Sequence, residues 1–70
     1  MMDFTYVIDN EPKYLTFRMF LKQNDFEELI PNSIHLIKGE KYQFIMTPTI
    51  QIDLENGIYE CFVIFRKIKK

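Results

Sequence analysis

Residues 50–68, IQIDLENGIYECFVIFRKI, predict two β-strands joined by a tight turn at Asn56-Gly57. The first arm alternates apolar and polar residues, the pattern of a strand with one buried face. The second arm contains the run CFVIF at residues 61–65, which is apolar on both faces. Because such strands are usually buried on both sides, the hairpin raises the question of what covers its second face.

The register of this hairpin follows from its turn. A two-residue type I′ loop, which Asn-Gly strongly favours, would place Asp53 opposite Glu60 and Ile52 opposite Cys61. Directly opposed residues share a face of the sheet. We therefore expect a core layer made of Ile50, Ile52, Leu54, Tyr59, Cys61, Val63 and Phe65. Phe62 and Ile64 fall on the other face, among carboxylates.

Two interpretations of that second face remain open. In the first, a short helix near residues 25–30 or a curled first hairpin covers Phe62 and Ile64. The helix would do so through Phe26, Leu29 and Ile30. In the second, the face is an exposed patch that binds a partner or a second copy of the chain. Its residues would be Phe62, Ile64, Arg66, Ile68, Asp53 and Glu60.

The rest of the chain also favours strands. Asp3–Asp9 and Lys13–Lys22 alternate like the arms of a first hairpin, and Asn24 with Glu27 predicts a helix start with a capping box. After a short strand at 34–37 and a turn at 38–40, one parity of apolar residues runs from Tyr42 to Leu54. Because that run crosses Pro48, it predicts one bent strand or two strands that meet at a bulge.

These elements predict one domain over residues 1–70. We expect a mainly β (α+β) fold, a small curled antiparallel sheet or barrel, or a compact sandwich, of five to six strands with one short helix near residues 25–30. The chain has 70 residues, no tryptophan and two glycines. A core of this size is thin, so each large apolar side chain contributes noticeably to stability.

Charge and cysteine content bound the class of protein. The formal net charge is −1, which gives no global argument for binding to nucleic acid or membrane. The single cysteine, Cys61, cannot form an internal disulfide, and no apolar run is long enough for a membrane helix. We therefore expect a cytoplasmic protein that does not associate with membranes.

No residue pattern predicts catalysis, a metal site or a cofactor. His35 is the only histidine, has no second ligand at metal-binding spacing, and is expected to point outward from its strand. The acidic cluster Asp25, Glu27 and Glu28 is explained by the electrostatics of a helix start. An enzyme is therefore not expected.

Three functions remain as hypotheses. The first is a small non-catalytic protein-binding module; the composition, typical of AT-rich coding, favours a phage or mobile-element accessory protein that inhibits or modulates a larger host protein. The second is a small β-barrel that binds nucleic acid through a basic tail and exposed tyrosines. Its residues would be Arg66, Lys67, Lys69, Lys70, Tyr14 and Tyr42. The third is a self-associating structural subunit, a homo-oligomer.

Overall fold

The computed structural model describes residues 7–68, and within them six antiparallel strands form one sheet that is not closed into a barrel. The predicted small, mainly β sheet of five to six strands with one short helix is confirmed. The elements are β1 (Val7–Asn10), β2 (Tyr14–Leu21), a 3₁₀ helix (Gln23–Glu27), β3 (Ile34–Ile37), β4 (Glu40–Met46), β5 (Thr49–Asp53) and β6 (Ile58–Lys67). Of the strand predicted to begin at Asp3, residues 3–6 lie outside the described range.

The central strand of the sheet is β6. On one side, β2 pairs with almost the whole length of β6, and β1 pairs with the other edge of β2. On the other side β4 pairs with residues 64–67 of β6, and β5 pairs with residues 58–61. Strand β3 continues the sheet beyond β4. The run from Tyr42 to Asp53 is therefore two strands that share one edge of β6, as one of the two sequence interpretations predicted.

One face of the sheet, called the core face below, holds the buried residues. Phe17 and Phe65 pack edge to face there, with ring centroids 5.9 Å apart. The alternation within CFVIF is as predicted, because Cys61, Val63 and Phe65 are fully buried. The buried set is Leu15, Phe17, Met19, Leu21, Leu29, Ile37, Tyr42, Phe44, Cys61, Val63 and Phe65.

The connection from β2 to β3 contributes to the core face. Leu29 is buried in the core, and the ring of Phe26 packs edge to face on Tyr59 at 5.3 Å. The end of the connection is fixed because the Asn32 N–H donates to the carbonyl of Phe44 (2.9 Å). This segment therefore covers part of the core, and none of it adds a second layer to the opposite face.

The helix begins differently from the prediction. The Lys22 N–H donates to Oδ2 of Asp25 (2.8 Å), so Asp25 rather than Glu27 supplies the capping carboxylate, and the predicted cap at Asn24 is wrong. The helix is a tight 3₁₀ turn, in which hydrogen bonds span three residues instead of four. Lys22 and Asp25 occupy the N-cap and N3 positions, the three-residue spacing of a capping box.

The loop between β5 and β6 also differs from the prediction. Asp53 opposes Ile58, so the loop has four residues, and the predicted opposition of Asp53 and Glu60 is wrong. A type I′ turn needs positive φ at both central residues, whereas here only Gly57 has it, at 65°. The Asp53 carboxylate closes the loop by accepting from the backbone N–H of Asn56 (3.3 Å) and from its side-chain amide (2.8 Å).

A two-residue loop with positive φ at both positions occurs instead between β3 and β4. Lys38 has φ of 50° and Gly39 has φ of 83°. Ile37 and Glu40, on either side of the loop, are directly opposed. The predicted turn at 38–40 is therefore present. It has positive φ at both loop residues, which the sequence predicted for Asn56-Gly57 instead.

Two register shifts interrupt the alternation along β4 and β5. One lies between Phe44 and Met46 and the other between Thr49 and Gln51. Each added residue moves the following side chains to the other face. Met46 therefore opposes Ile64 on the face opposite the core, and the predicted single parity from Tyr42 to Leu54 is wrong.

Strand β5 is exposed throughout. Ile50, Ile52 and Leu54 are 46%, 51% and 82% exposed, so their predicted place in the core is wrong, although their expected neighbours Cys61 and Val63 are buried. The reason is position: β5 lies at the edge of the sheet, whereas the connection from β2 to β3 packs on the core through Leu29 and on Tyr59 of β6 through Phe26. Within residues 7–68, β5 also pairs with no strand other than β6.

Candidate functional site

The face opposite the core, called the open face below, carries no second layer of secondary structure within residues 7–68. Phe62 and Ile64 lie on it and are partly buried by their neighbours in the sheet. The side chain of Phe20, on β2 beside them, is 64% exposed. Because Phe26 and Leu29 pack on the core face, the interpretation in which the helix covers Phe62 and Ile64 is wrong.

An ion pair crosses the open face beside these rings. Nε of Arg18 donates to Oε2 of Glu60 at 2.5 Å, and Nη2 of the same guanidinium also contacts this oxygen. Glu60 lies opposite Phe20 on one side and Gln51 on the other. The carboxylate of Glu60, whose side chain is 14% exposed, is therefore compensated by the half-exposed Arg18.

The residues predicted to form one partner-binding patch lie in two separate regions. Asp53 and Glu60 are near the start of β6, whereas Arg66 and Ile68 are at its end. Six residues of extended strand separate Glu60 from Arg66, which is about 20 Å. Phe62 and Ile64 lie between the two regions. The open face is therefore long, with different charges at its two ends.

The end of the sheet that contains the β5–β6 loop is acidic, and we call it the acidic end. Five carboxylates belong to it, with Lys22 as the nearby cation: Asp25, Glu27, Glu28, Asp53 and Glu55. The hydrogen bonds from Asn56, chiefly from its side-chain amide, hold the pKa of Asp53 below its usual value. Asp53 therefore stays ionised in mildly acidic solution. Ile50 and Ile52 of β5 lie next to this group of charges.

The opposite end of the open face forms a shallow cleft of about 660 Å³, called the basic cleft below. Tyr14 lies opposite Arg66, and Arg66 lies opposite Gln43, so the three side chains form one row across β2, β6 and β4. The lining residues are Pro12, Lys13, Tyr14, Gln43, Arg66, Lys67 and Ile68. Lys69 and Lys70, predicted to contribute to nucleic-acid binding, lie outside the described residues.

The structure brings Tyr14, Arg66 and Lys67 together, and it places Tyr42 opposite Lys67 but on the face of the sheet away from Tyr14 and Arg66. Tyr42 is buried on the core face, and its hydroxyl donates to Oε2 of Glu40 at 2.8 Å. That hydrogen bond, with burial and the charge of Glu40, raises the pKa of Tyr42 above its ordinary value. The expectation that Tyr42 is an exposed tyrosine is therefore wrong, whereas Tyr14 is exposed as expected.

The lone histidine and cysteine both have structural positions. The His35 ring packs edge-on against Phe65 (5.5 Å) and lies 2.9 Å from the Ser33 hydroxyl, so the expectation that it points outward is wrong. Cys61 is fully buried, with its Sγ 3.8 Å from Oγ1 of Thr49. Among the described residues, no three His, Cys, Asp or Glu side chains are grouped so that they would hold a metal ion. No helix in the same range is long and apolar enough to cross a membrane.

Two exposed apolar residues near the acidic end were not identified as candidates from the sequence. Ile52 was assigned to the core because the four-residue loop and the missing cover over β5 are not visible in a period-2 pattern. Phe20 lies on the face of β2 opposite to Phe17 and Met19, and this alternation in the sequence was the available signal that Phe20 is exposed.

Comparison with known proteins finds no matching family model, no similar curated protein and no similar solved structure.

Proposed function

We propose that the protein is a non-catalytic protein-binding module that accepts an extended segment of a larger protein along the outer edge of β5. The observation that carries this proposal is the exposure of β5 on both faces and along its outer edge within the described residues. An unpaired strand edge presents backbone N–H and C=O groups to which another chain can add.

The length of the free edge sets how such a segment would bind. Pro48 precedes β5 and donates no hydrogen bond, and the register shift before Gln51 disturbs the ladder. Regular pairing is therefore restricted to residues 51–53. A partner segment would gain most of its affinity from side-chain contacts, chiefly with Ile52 of the strand and with Leu54 in the loop that follows it.

Charge indicates the chemistry of the partner. Asp53 ends β5 and Glu55 lies in the loop that follows it, and the remaining acidic side chains of this end lie on or next to the 3₁₀ helix. A segment that alternates apolar and basic residues matches this surface, with apolar side chains against Ile52 and basic ones against the carboxylates. Occupying a basic segment of a larger host protein is one way in which a small accessory protein inhibits it.

The test compares three variants in affinity capture from the native cell, followed by a binding titration with the purified partner. Ile52→Asp should weaken binding at least tenfold, because it places a charge where an apolar side chain docks. Ile34→Asp is the matched control, since Ile34 is an equally exposed isoleucine, 54% exposed, on a distant strand. Phe20→Asp tests docking on the open face.

Each outcome separates one mode of binding from the others. Loss of the partner only with Ile52→Asp supports strand addition at β5. Loss only with Phe20→Asp contradicts strand addition and supports binding through the open face around Phe62 and Ile64. Equal retention by all three variants contradicts protein binding through either surface.

Self-association is a second candidate, favoured by the sequence of β5. An antiparallel copy of β5 centred on Gln51 would place Ile50 opposite Ile52 and Thr49 opposite Asp53, with no like charges opposed. Sedimentation over a wide concentration range tests it. A dimer that Ile52→Asp dissociates would support a structural subunit, and a strict monomer would exclude it.

A further inference from the structure

We propose that the basic cleft binds single-stranded nucleic acid, with the ring of Tyr14 stacking on a base and the Arg66 guanidinium contacting the backbone. The site is distinct from the β5 edge, because it lies at the other end of β6. The chain would then have two binding surfaces, an acidic end for a protein segment and a basic end for a nucleic-acid strand.

The position of the three central side chains is set by the sheet. Tyr14, Arg66 and Gln43 occupy directly opposed positions on three neighbouring strands. Opposed Cβ atoms lie about 5 Å apart, so the row is about 10 Å wide. A site on paired strands keeps its side chains better placed than one on loops. Tyr14 is 42% exposed, so part of its ring is available to a base.

The charge of the cleft suits a phosphate backbone. Its lining contains three cations, Lys13, Arg66 and Lys67, and no carboxylate. Within residues 7–68, neither Lys13 nor Arg66 makes an ion pair, whereas the Lys67 ammonium donates to Oδ1 of Asn10. The backbone N–H of Lys67 donates to the carbonyl of Lys13 (2.8 Å), which holds the two basic segments together.

Nearby carboxylates do not occupy the cleft. Asp9 and Glu11 flank the β1–β2 turn, and Glu40 accepts the hydrogen bond from Tyr42 beside the neighbouring cleft. None of the three lines the basic cleft itself. Lys13 and Arg66 are therefore available to neutralise phosphates, which is the main source of affinity in non-specific nucleic-acid binding.

The combination of groups favours a single strand over a duplex or a free phosphate. An exposed aromatic ring gains from stacking only when bases are unstacked and accessible, as they are in single strands. The Gln43 amide, with one donor and one acceptor group, can hydrogen-bond a base edge. A free phosphate would use the cations but neither Tyr14 nor Gln43.

The experiment is a fluorescence anisotropy titration of labelled oligo(dT) and oligo(U) of about twelve nucleotides, within the usual range of site sizes. Binding is measured from about 50 mM to about 300 mM salt, and two or three phosphate contacts predict a slope of log K against log salt of about −2. Tyr14→Ala should weaken binding roughly 5- to 100-fold, the range for loss of one stacked base. Arg66→Gln should weaken binding and reduce the salt slope by about 0.7.

Matched controls separate this site from general electrostatics. Lys22→Gln removes one positive charge at the acidic end and should leave binding unchanged, and Tyr14→Phe keeps the ring and should retain binding. Ile52→Asp, which tests the protein-binding surface, should not affect the oligonucleotide. Thermal unfolding of each variant checks that the fold is intact, which we expect because Tyr14 and Arg66 are both exposed.

Three results would overturn the site. The first is an absence of oligonucleotide binding at the lowest salt concentration. The second is an equal loss with Lys22→Gln and Arg66→Gln, which would indicate attraction to charge alone. The third is equally tight binding of a duplex or of poly-glutamate in competition, since neither offers unstacked bases to Tyr14.

Discussion

Both halves of β6 are rich in apolar residues, but the strands that pair with them on one side differ in how deeply they are buried. Its C-terminal half pairs with β4, where Tyr42 and Phe44 are buried. Its N-terminal half pairs with β5, where Ile50 and Ile52 are about half exposed. Within residues 7–68 the connection from β2 to β3 packs on β6 through the contact of Phe26 with Tyr59, and β5 lies beyond this contact at the edge of the sheet.

This difference shows that apolar alternation in a sequence identifies the apolar face of a strand, but not whether another part of the chain packs on that face. Phe44 and Ile52 both lie on the core face, yet Phe44 is 2% exposed and Ile52 is 51% exposed. The backbone N–H and carbonyl of Phe44 bond to Ser33 and Asn32 beside it in the sheet, whereas β5 has no strand on its outer edge within residues 7–68. The β5 half therefore leaves apolar side chains exposed, while the β4 half buries them.

The largest expected effect comes from truncating one apolar side chain in each half. Phe44→Ala should lower the free energy of unfolding by about 3–5 kcal/mol, since it empties a fully buried site. Ile52→Ala should cost about 1 kcal/mol or less, because the side chain is already half exposed. Urea unfolding of both variants measures the difference, with Phe44→Leu as a milder substitute if the alanine variant does not fold. Equal losses would mean that β5 is packed, and the binding surface proposed there would be lost.

A smaller change in the free energy of unfolding, of opposite sign, is expected at Thr47, which lies between β4 and β5. Oγ1 of Thr47 is buried and has no hydrogen-bond partner in the described part of the chain. Replacing it by a methyl group in Thr47→Val should raise the free energy of unfolding by about 1 kcal/mol. Thr49→Val is the control, since the Thr49 hydroxyl contacts Sγ of Cys61 and its removal offers no such gain. A loss of stability in Thr47→Val would show that the hydroxyl is satisfied.

Most of the architecture could be predicted from the sequence because it depends on local alternation. The strands, the division of residues 61–65 between two faces, and the turn at 38–40 follow from period 2 and from turn-forming residues. The register of the β5–β6 hairpin could not be predicted, because one Asp53 carboxylate selects a longer loop than Asn56-Gly57 alone would. The two bulges have no sequence signal beyond Pro48.

The candidate sites were predictable only in part, because they depend on more than local alternation. The row of Tyr14 and Arg66 depends on the pairing of strands far apart in the chain, which alternation does not specify. The position of Tyr42 depends on which face of β4 meets the core. The exposure of Ile52 depends on an absent cover, and cover is a property of the whole fold.

In the β4 half, Tyr42 should make the free energy of unfolding depend on pH in the alkaline range. Its folded-state pKa is raised, chiefly by the hydrogen bond to Glu40, above the value of about 10 in unfolded chains. The contribution is therefore fully present below pH about 10 and is lost as pH rises through the folded-state pKa. Unfolding measured between pH about 9 and about 11 should show this loss in the wild type and a flatter profile in Tyr42→Phe. Tyr14→Phe, which removes an exposed tyrosine, should keep the wild-type profile; the same flattening in both variants would contradict a specific role for Tyr42.

In the β5 half the corresponding group titrates at the other end of the pH scale, and the smallest effect is expected there. Hydrogen bonds from Asn56 lower the pKa of Asp53 in the folded state, so its contribution is present above the unfolded value of about 3.9 and is lost as pH falls through the folded-state pKa. Asp53→Asn keeps the shape of the loop but removes the charge, and its unfolding should depend less on pH below about 4 than that of the wild type. Because Asp53 is fully exposed, solvent screens the interaction, and added salt should reduce the difference further. Parallel acid profiles for the two proteins would mean that the carboxylate does not close this loop, so the register of β5 would then have to be set by its contacts with β6 alone.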